Sequence, residues 1–225
     1  MLKQSFELYH YLQKQMKDCE KQIESILQQY ITSVPEEDTR AESPRANKVK
    51  AKKNMISIDI ERHASKLWGV NLSRIYGISD AALLRIVGEL GHDFTSKFNT
   101  YKKFCCWANV TPNNKISGGK LLSSKVPRRK NPVGLILRSS ANSLKASKTP
   151  LGFYFRKIQT KSGYIPAIIA TANKLGRMIY TMVKNKTEFD DSLISINEEE
   201  RLKRKLIRAQ MELDRIQNQI KKNLS

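Results

Sequence analysis

Between Leu2 and Tyr30 the seam positions recur in alternating steps of three and four: Leu2, Ser5, Tyr9, Leu12, Met16, Cys19, Ile23, Ile26 and Tyr30. A period of about 3.5 residues keeps one side of a helix turned toward a partner helix, so a coiled-coil helix is expected over residues 1–32. The pattern stops at Ser33. From there to Lys53 the few apolar residues, Pro35, Pro44 and a lysine-rich end cannot offset the entropy of ordering, and residues 33–54 read as a flexible linker.

Helical periodicity returns from Ile58 to Leu72 and, after the turn Ile75-Tyr76-Gly77-Ile78-Ser79, from Asp80 to Leu90, with Gly91 as the cap. Helix, short apolar turn with glycine, helix is the pattern of a helix-hairpin-helix, in which the amides around Gly77 and Ser79 would meet a phosphate without reading sequence. Lys97 to Ala108 reads as a short amphipathic helix with Phe98, Phe104 and Trp107 turned to the core. Asn131-Pro132 and Thr149-Pro150 are N-cap and N1 pairs that open two further helices, the first to about Lys145 and the second to Gly163. Tyr164 to Lys184 carries a core stripe of Ile165, Ile168, Ile169, Ala172, Leu175, Ile179, Met182 and Val183.

A second heptad, Leu202, Leu206, Ala209, Leu213, Ile216 and Ile220, closes the pattern as a helix over 197–223. Glu198 to Glu200 in its first turn and Lys221 and Lys222 in its last suit the helix dipole. The expected fold class is therefore mostly α: a basic helical domain over 55–190 between two coiled-coil helices, which would assemble the chain as a homo-oligomer.

Charge changes the picture more than composition does. The chain of 225 residues has a formal net charge of +20, and from Phe94 to Thr187 it has 19 Lys or Arg and no Asp or Glu. A solvated face normally mixes signs, so a long stretch of one sign asks for an anionic partner, and nucleic acid fits it better than a membrane surface. No window approaches roughly 18 uninterrupted apolar residues and no secretory signal opens the chain, so a cytoplasmic protein is expected. Cys19, Cys105 and Cys106 are too few for a disulfide framework or zinc site and read as buried small hydrophobes. His10, His63 and His92 have no partner at ligand spacing, so no metal site is expected in this chain.

The chemistry concentrates in Thr111-Pro112-Asn113-Asn114-Lys115-Ile116-Ser117-Gly118-Gly119-Lys120. Gly118 and Gly119 permit positive φ and close approach, Ser117 brings a hydroxyl, and Lys115 and Lys120 bring charge to the same turn. Lys125, Arg128, Arg129 and Lys130 follow at once, and Arg138 lies on the next helix within reach of the loop. These cations, with Gly77, Ser79, Gly118 and Gly119, are the candidate nucleic-acid contacts.

Four segments taken together resemble one family: Ile75-Tyr76-Gly77-Ile78 with Gly88-Glu89-Leu90-Gly91, Thr111 to Lys120, Ser147-Lys148-Thr149-Pro150-Leu151-Gly152, and Thr171-Ala172-Asn173-Lys174-Leu175. The family is the serine-type insertion-sequence transposases with a RuvC-like DEDD domain, relatives of the Piv DNA invertases guided by a bridge RNA. The resemblance spans roughly Phe6 to Asp191. It implies a DNA transposase or recombinase in which Ser117 attacks the DNA backbone to give a 5′-phosphoserine, with DNA and guide RNA as partners. It also implies that the four metal-binding acids lie in an N-terminal RuvC-like domain, which this chain, opening within the coiled coil, lacks. Mg²⁺ is then expected only together with that domain, and this chain alone would bind nucleic acid yet be a poor recombinase. Asn173 stands where many relatives have His, which puts a polar role there in question. The alternative is a non-catalytic nucleic-acid-binding fragment of a truncated transposase; a coiled-coil structural protein with an incidental basic domain is a third reading.

Overall fold

The structure is a computed structural model that describes residues 2–32, 56–127, 130–190, 206–207, 209–217 and 219. The expected linker over 33–54 lies outside the described residues, as do Arg128, Arg129, Leu202 and Ile220. The chain divides into a unit up to Phe189 and another from Asp190 on.

The first unit begins with helix α1 (Leu2–Thr32), which buries none of its residues. Leu2, Leu12, Met16, Ile23 and Ile26 of the heptad seam lie exposed. The flank beside the seam meets the rest of the unit, where Glu20 accepts from the backbone and hydroxyl of Ser57, α1 contacts α2, and the Tyr30 ring lies against His92. Cys19, on the uncovered seam, is exposed rather than buried.

Helix α2 (Ile60–Trp68) starts where the Asp59 carboxylate accepts from the Arg62 amide. It ends at Trp68 because Gly69 turns left-handed with φ of 67°, so the helix expected to reach Leu72 is shorter. Leu72–Arg74 is instead a separate 3-10 turn, which lengthens the connection to α3 (Asp80–Leu90) beyond a compact helix-hairpin-helix turn. The Trp68 indole donates to Gly91 O at 3.0 Å and ties the two helices together.

The single helix expected over Lys97 to Ala108 is two, α4 (Phe94–Lys97) and α5 (Tyr101–Trp107), separated by extended backbone at Phe98 and a new cap at Thr100. Cys105 faces inward and is buried, whereas Cys106, the next residue around the helix, is exposed. Burial pushes the Cys105 thiol up to about 12, against a smaller opposing pull from Arg177, so it stays protonated and inert.

Strands β1 (Asn113–Ser117) and β2 (Lys120–Lys125) follow, then α6 (Pro132–Ser143), α7 (Pro150–Ser162) and α8 (Tyr164–Asn185). The Asn131 and Thr149 side chains accept from the amides of Gly134 and Gly152, as their N-cap spacing predicts. Helix α8 is the spine, packed against α5, α6 and α7. Gly176 allows this convergence, since a Cβ there would stand 3.2 Å from Cys105 Sγ and 3.3 Å from Leu137 Cδ1. Most of the expected stripe on α8 is buried or half-buried, with Ala167, Thr171 and Tyr180 added to it. Ile165 is the exception at 65% exposed, because it sits in the first turn before packing begins.

An aromatic cluster of Trp68, Phe94, Phe104 and Tyr180 fills the core beside α5. Phe104 is fully buried and Phe98 half-buried, but Trp107 is 41% exposed, its ring resting on Phe98 and Phe104 at the edge. Beyond α8, Glu188 pairs with Arg74 at 3.6 Å and Phe189 meets the Tyr76 ring, which returns the chain to the 3-10 turn.

In the second unit the described residues between 206 and 217 are helical, with Leu206, Leu213 and Ile216 exposed. No helix among the described residues is long and apolar enough to cross a membrane.

Candidate nucleic-acid interface

The stretch expected as a loop is a two-stranded antiparallel hairpin. Gly118 and Gly119 form its two-residue connection with φ of 53° and 75°, the pair of positive values that a type I′ turn requires. A Cβ on either would meet nothing within 4 Å, so backbone conformation rather than crowding calls for glycine here. All five residues of β1 are exposed.

The register decides what surrounds Ser117. Asn113 pairs with Lys125, Lys115 with Ser123 and Ser117 with Lys120. Residues two apart on a strand share a face with the residues directly opposite them. Lys115, Lys120 and Lys125 therefore stand on the face of Ser117, together with Ser123. A bulge at Lys115/Ile116 leaves Leu122 as the extra residue of β2, and Ile116 and Leu122 are 66% and 69% exposed.

A cross-braced root carries the hairpin. Ala108 and Val110 are buried, and between them Asn109 adopts a left-handed conformation with φ of 54°, which asparagine tolerates better than most residues. Asn131 Nδ2 donates to Trp107 O at 3.0 Å, and Arg138 Nη1 to Asn109 O at 3.1 Å. Asn173 Nδ2 donates to Val110 O at 3.3 Å and to Thr111 Oγ1 at 3.1 Å. Gly134 fits beneath this segment, where an added Cβ would lie 1.8 Å from Ala108 O. Asn131→Ala, which loses both a helix cap and the bond to Trp107, is expected to destabilise the domain by about 2 kcal/mol, read as a lower urea midpoint with an unchanged slope.

The other candidate contacts are placed differently. Lys130 is exposed beside the hairpin's exit, and Arg138 is half-buried with its guanidinium committed to the root. Gly77, with φ of 88°, abuts α6, where a Cβ would stand 2.9 Å from Ser140 O. The Ser79 hydroxyl accepts from the Ala82 amide as the cap of α3. Both have packing or capping roles in this fold.

Sequence reasoning passed over Asn109 and doubted Asn173, which together with Asn131 and Arg138 set the root. A lone non-glycine residue before Val110-Thr111-Pro112 gives no periodic signal, although asparagine at a sharp turn is a hint. It also passed over Lys174 and Arg177 on α8, whose charges lie over the rings of Tyr154 and Tyr101. Burial, then the neighbouring Arg177, holds the Lys174 ammonium below its ordinary pKa, and burial raises the Tyr154 phenol.

Among the described residues no three His, Cys, Asp or Glu side chains lie close enough to hold a metal ion. The hairpin's lysines and serine hydroxyls do not fit Mg²⁺, which prefers carboxylates and water in octahedral array. No curated protein and no solved structure matches the chain. Residues 70–135, which run from the end of α2 through the hairpin to the start of α6, do match the model of the transposase IS116/IS110/IS902 family, and this segment is similar to the transposase domain of that family.

Proposed function

We propose that this chain is the DNA-handling part of a transposase or recombinase whose nucleophile is Ser117. The observation that carries this reading is the hairpin register, which gathers Lys115, Lys120 and Lys125 onto the face of one exposed serine inside the segment similar to transposases. In the proposed step Ser117 Oγ attacks a backbone phosphorus, the Oγ–P bond forms and the P–O3′ bond breaks. The product is a 5′-phosphoserine and a free 3′-hydroxyl, which takes up a proton. The three ammonium groups stabilise the negative charge that builds on the phosphoryl oxygens. No carboxylate occurs between Phe94 and Thr187, and by the family resemblance activation of the serine is supplied by a RuvC-like domain in the assembly.

The same absence of carboxylates favours a second reading, a binding fragment without catalysis. DNA upstream of the coding sequence separates the two. A DEDD-type RuvC-like domain encoded within a few hundred base pairs, in frame or as a separate reading frame, keeps the enzyme reading, and its absence leaves only the binding one.

Both readings share DNA and guide RNA as partners, and both use the exposed seam of α1 for pairing with a second copy. Duplex binding should weaken with salt along a log–log slope of about −3 to −5, one unit for each phosphate met by Lys115, Lys120, Lys125, Lys130 and their neighbours. Anisotropy titrations between low and physiological salt measure it, and a flat response contradicts both readings.

A further inference from the structure

Lys174 and Arg177 lie three residues apart on α8, and each holds its charge over a ring from a different helix. Lys174 Nζ is 4.4 Å from the centroid of Tyr154 on α7, and Arg177 Cζ is 4.6 Å from the centroid of Tyr101 on α5. Among the described residues neither cation donates a hydrogen bond or joins an ion pair.

The arrangement costs free energy at Lys174. Lys174 is half-buried and loses hydration that the Tyr154 ring offsets only in part, and Arg177, itself exposed, repels it. An ordinary surface would place a carboxylate here, yet the chain has none from Phe94 to Thr187. Two neighbouring cations, each lying over a flat ring and neither hydrogen-bonded to the protein among the described residues, match the charge and hydrogen-bonding needs of a phosphate.

The geometry points to Lys174 and Arg177, walled by Tyr154 and Tyr101, as a second phosphate-binding site that takes the backbone of a nucleic acid beside the root of the hairpin. Its position follows from Asn173, the neighbour of Lys174, which donates to Val110 O and Thr111 Oγ1 where the hairpin begins. Ser117 lies up to ~20 Å beyond Thr111 along the extended strand, about six base pairs of duplex, so one DNA can reach both places. This inference rests on the reading that the domain binds nucleic acid.

The test uses the full chain and a duplex of about 30 base pairs, titrated at several salt concentrations. K174Q/R177Q should bind about tenfold more weakly at low salt, with a slope shallower by about two. K3Q/K14Q on α1, which lowers net charge equally, should keep the wild-type slope, and so should the charge-conserving K174R/R177K. Thermal unfolding without DNA gives the second readout: removing two repelling charges should leave the midpoint of K174Q/R177Q unchanged or raised. An unchanged slope in K174Q/R177Q overturns the site, as does an equal loss in K3Q/K14Q. A lowered midpoint with the same loss of binding in K174R/R177K assigns the pair to packing and also overturns it. Wild-type protein that shows no salt-dependent binding overturns the proposed function and the site together.

Discussion

Ser117→Ala should abolish the covalent protein–DNA adduct formed when a RuvC-like domain is supplied, while duplex affinity stays within about fivefold. Ser117 is exposed at the end of β1, and its removal deletes one hydroxyl but no charge. A neutral hydrogen bond contributes about 1 kcal/mol at most on an exposed face, and the salt slope depends only on the cations, so binding should barely change. The adduct, in contrast, needs the oxygen itself. Denaturing gels and mass spectrometry of the serine-linked nucleotide read the outcome. Ser123 shares the lysine-bearing face and makes the fitting control. An adduct that survives in Ser117→Ala and disappears in Ser123→Ala would move the nucleophile across the hairpin.

Gly134→Ala is expected to cost about 3 kcal/mol or more, because the new methyl would occupy space held by Ala108 O. A backbone oxygen at 1.8 Å cannot rotate away as a side-chain end would. Helix α6 must therefore back away from residues 107–110, and the bonds from Asn131 to Trp107 and from Arg138 to Asn109 are lost with that movement. Thermal unfolding should show a fall of several degrees. Gly88→Ala on α3, where a Cβ meets nothing within 4 Å, should be neutral or slightly stabilising by helix propensity. Equal midpoints for the two variants would mean that α6 does not press on Ala108.

The helix starts were legible because capping leaves a local mark. Ser79, Asn131 and Thr149 each accept an amide three residues on, and that spacing is written in the chain itself. Most of the α8 stripe was legible for the same reason, since a spine buried against three helices must be apolar at helical spacing. The hairpin was not. Asn113 to Ser117 is exposed on both faces, so no alternation of apolar and polar residues records the strand, and only the glycine pair signals a turn. The gathering of lysines around Ser117 depends on register, which a bulge at Leu122 sets and sequence spacing does not reveal. Arg138 was expected to reach this loop, and its guanidinium instead braces Asn109 O, two residues before Thr111. Lys174 and Arg177 were invisible because their setting is made by three helices brought together in space.

A ribbon of only two strands has an outer edge on each side, and such edges invite a neighbouring chain to zip on through its backbone. Bare charge on Lys115, Lys120 and Lys125 would hold identical ribbons apart by repulsion. A polyanion that neutralises them lifts that guard, so occupancy by nucleic acid would itself license two ribbons to meet edge to edge.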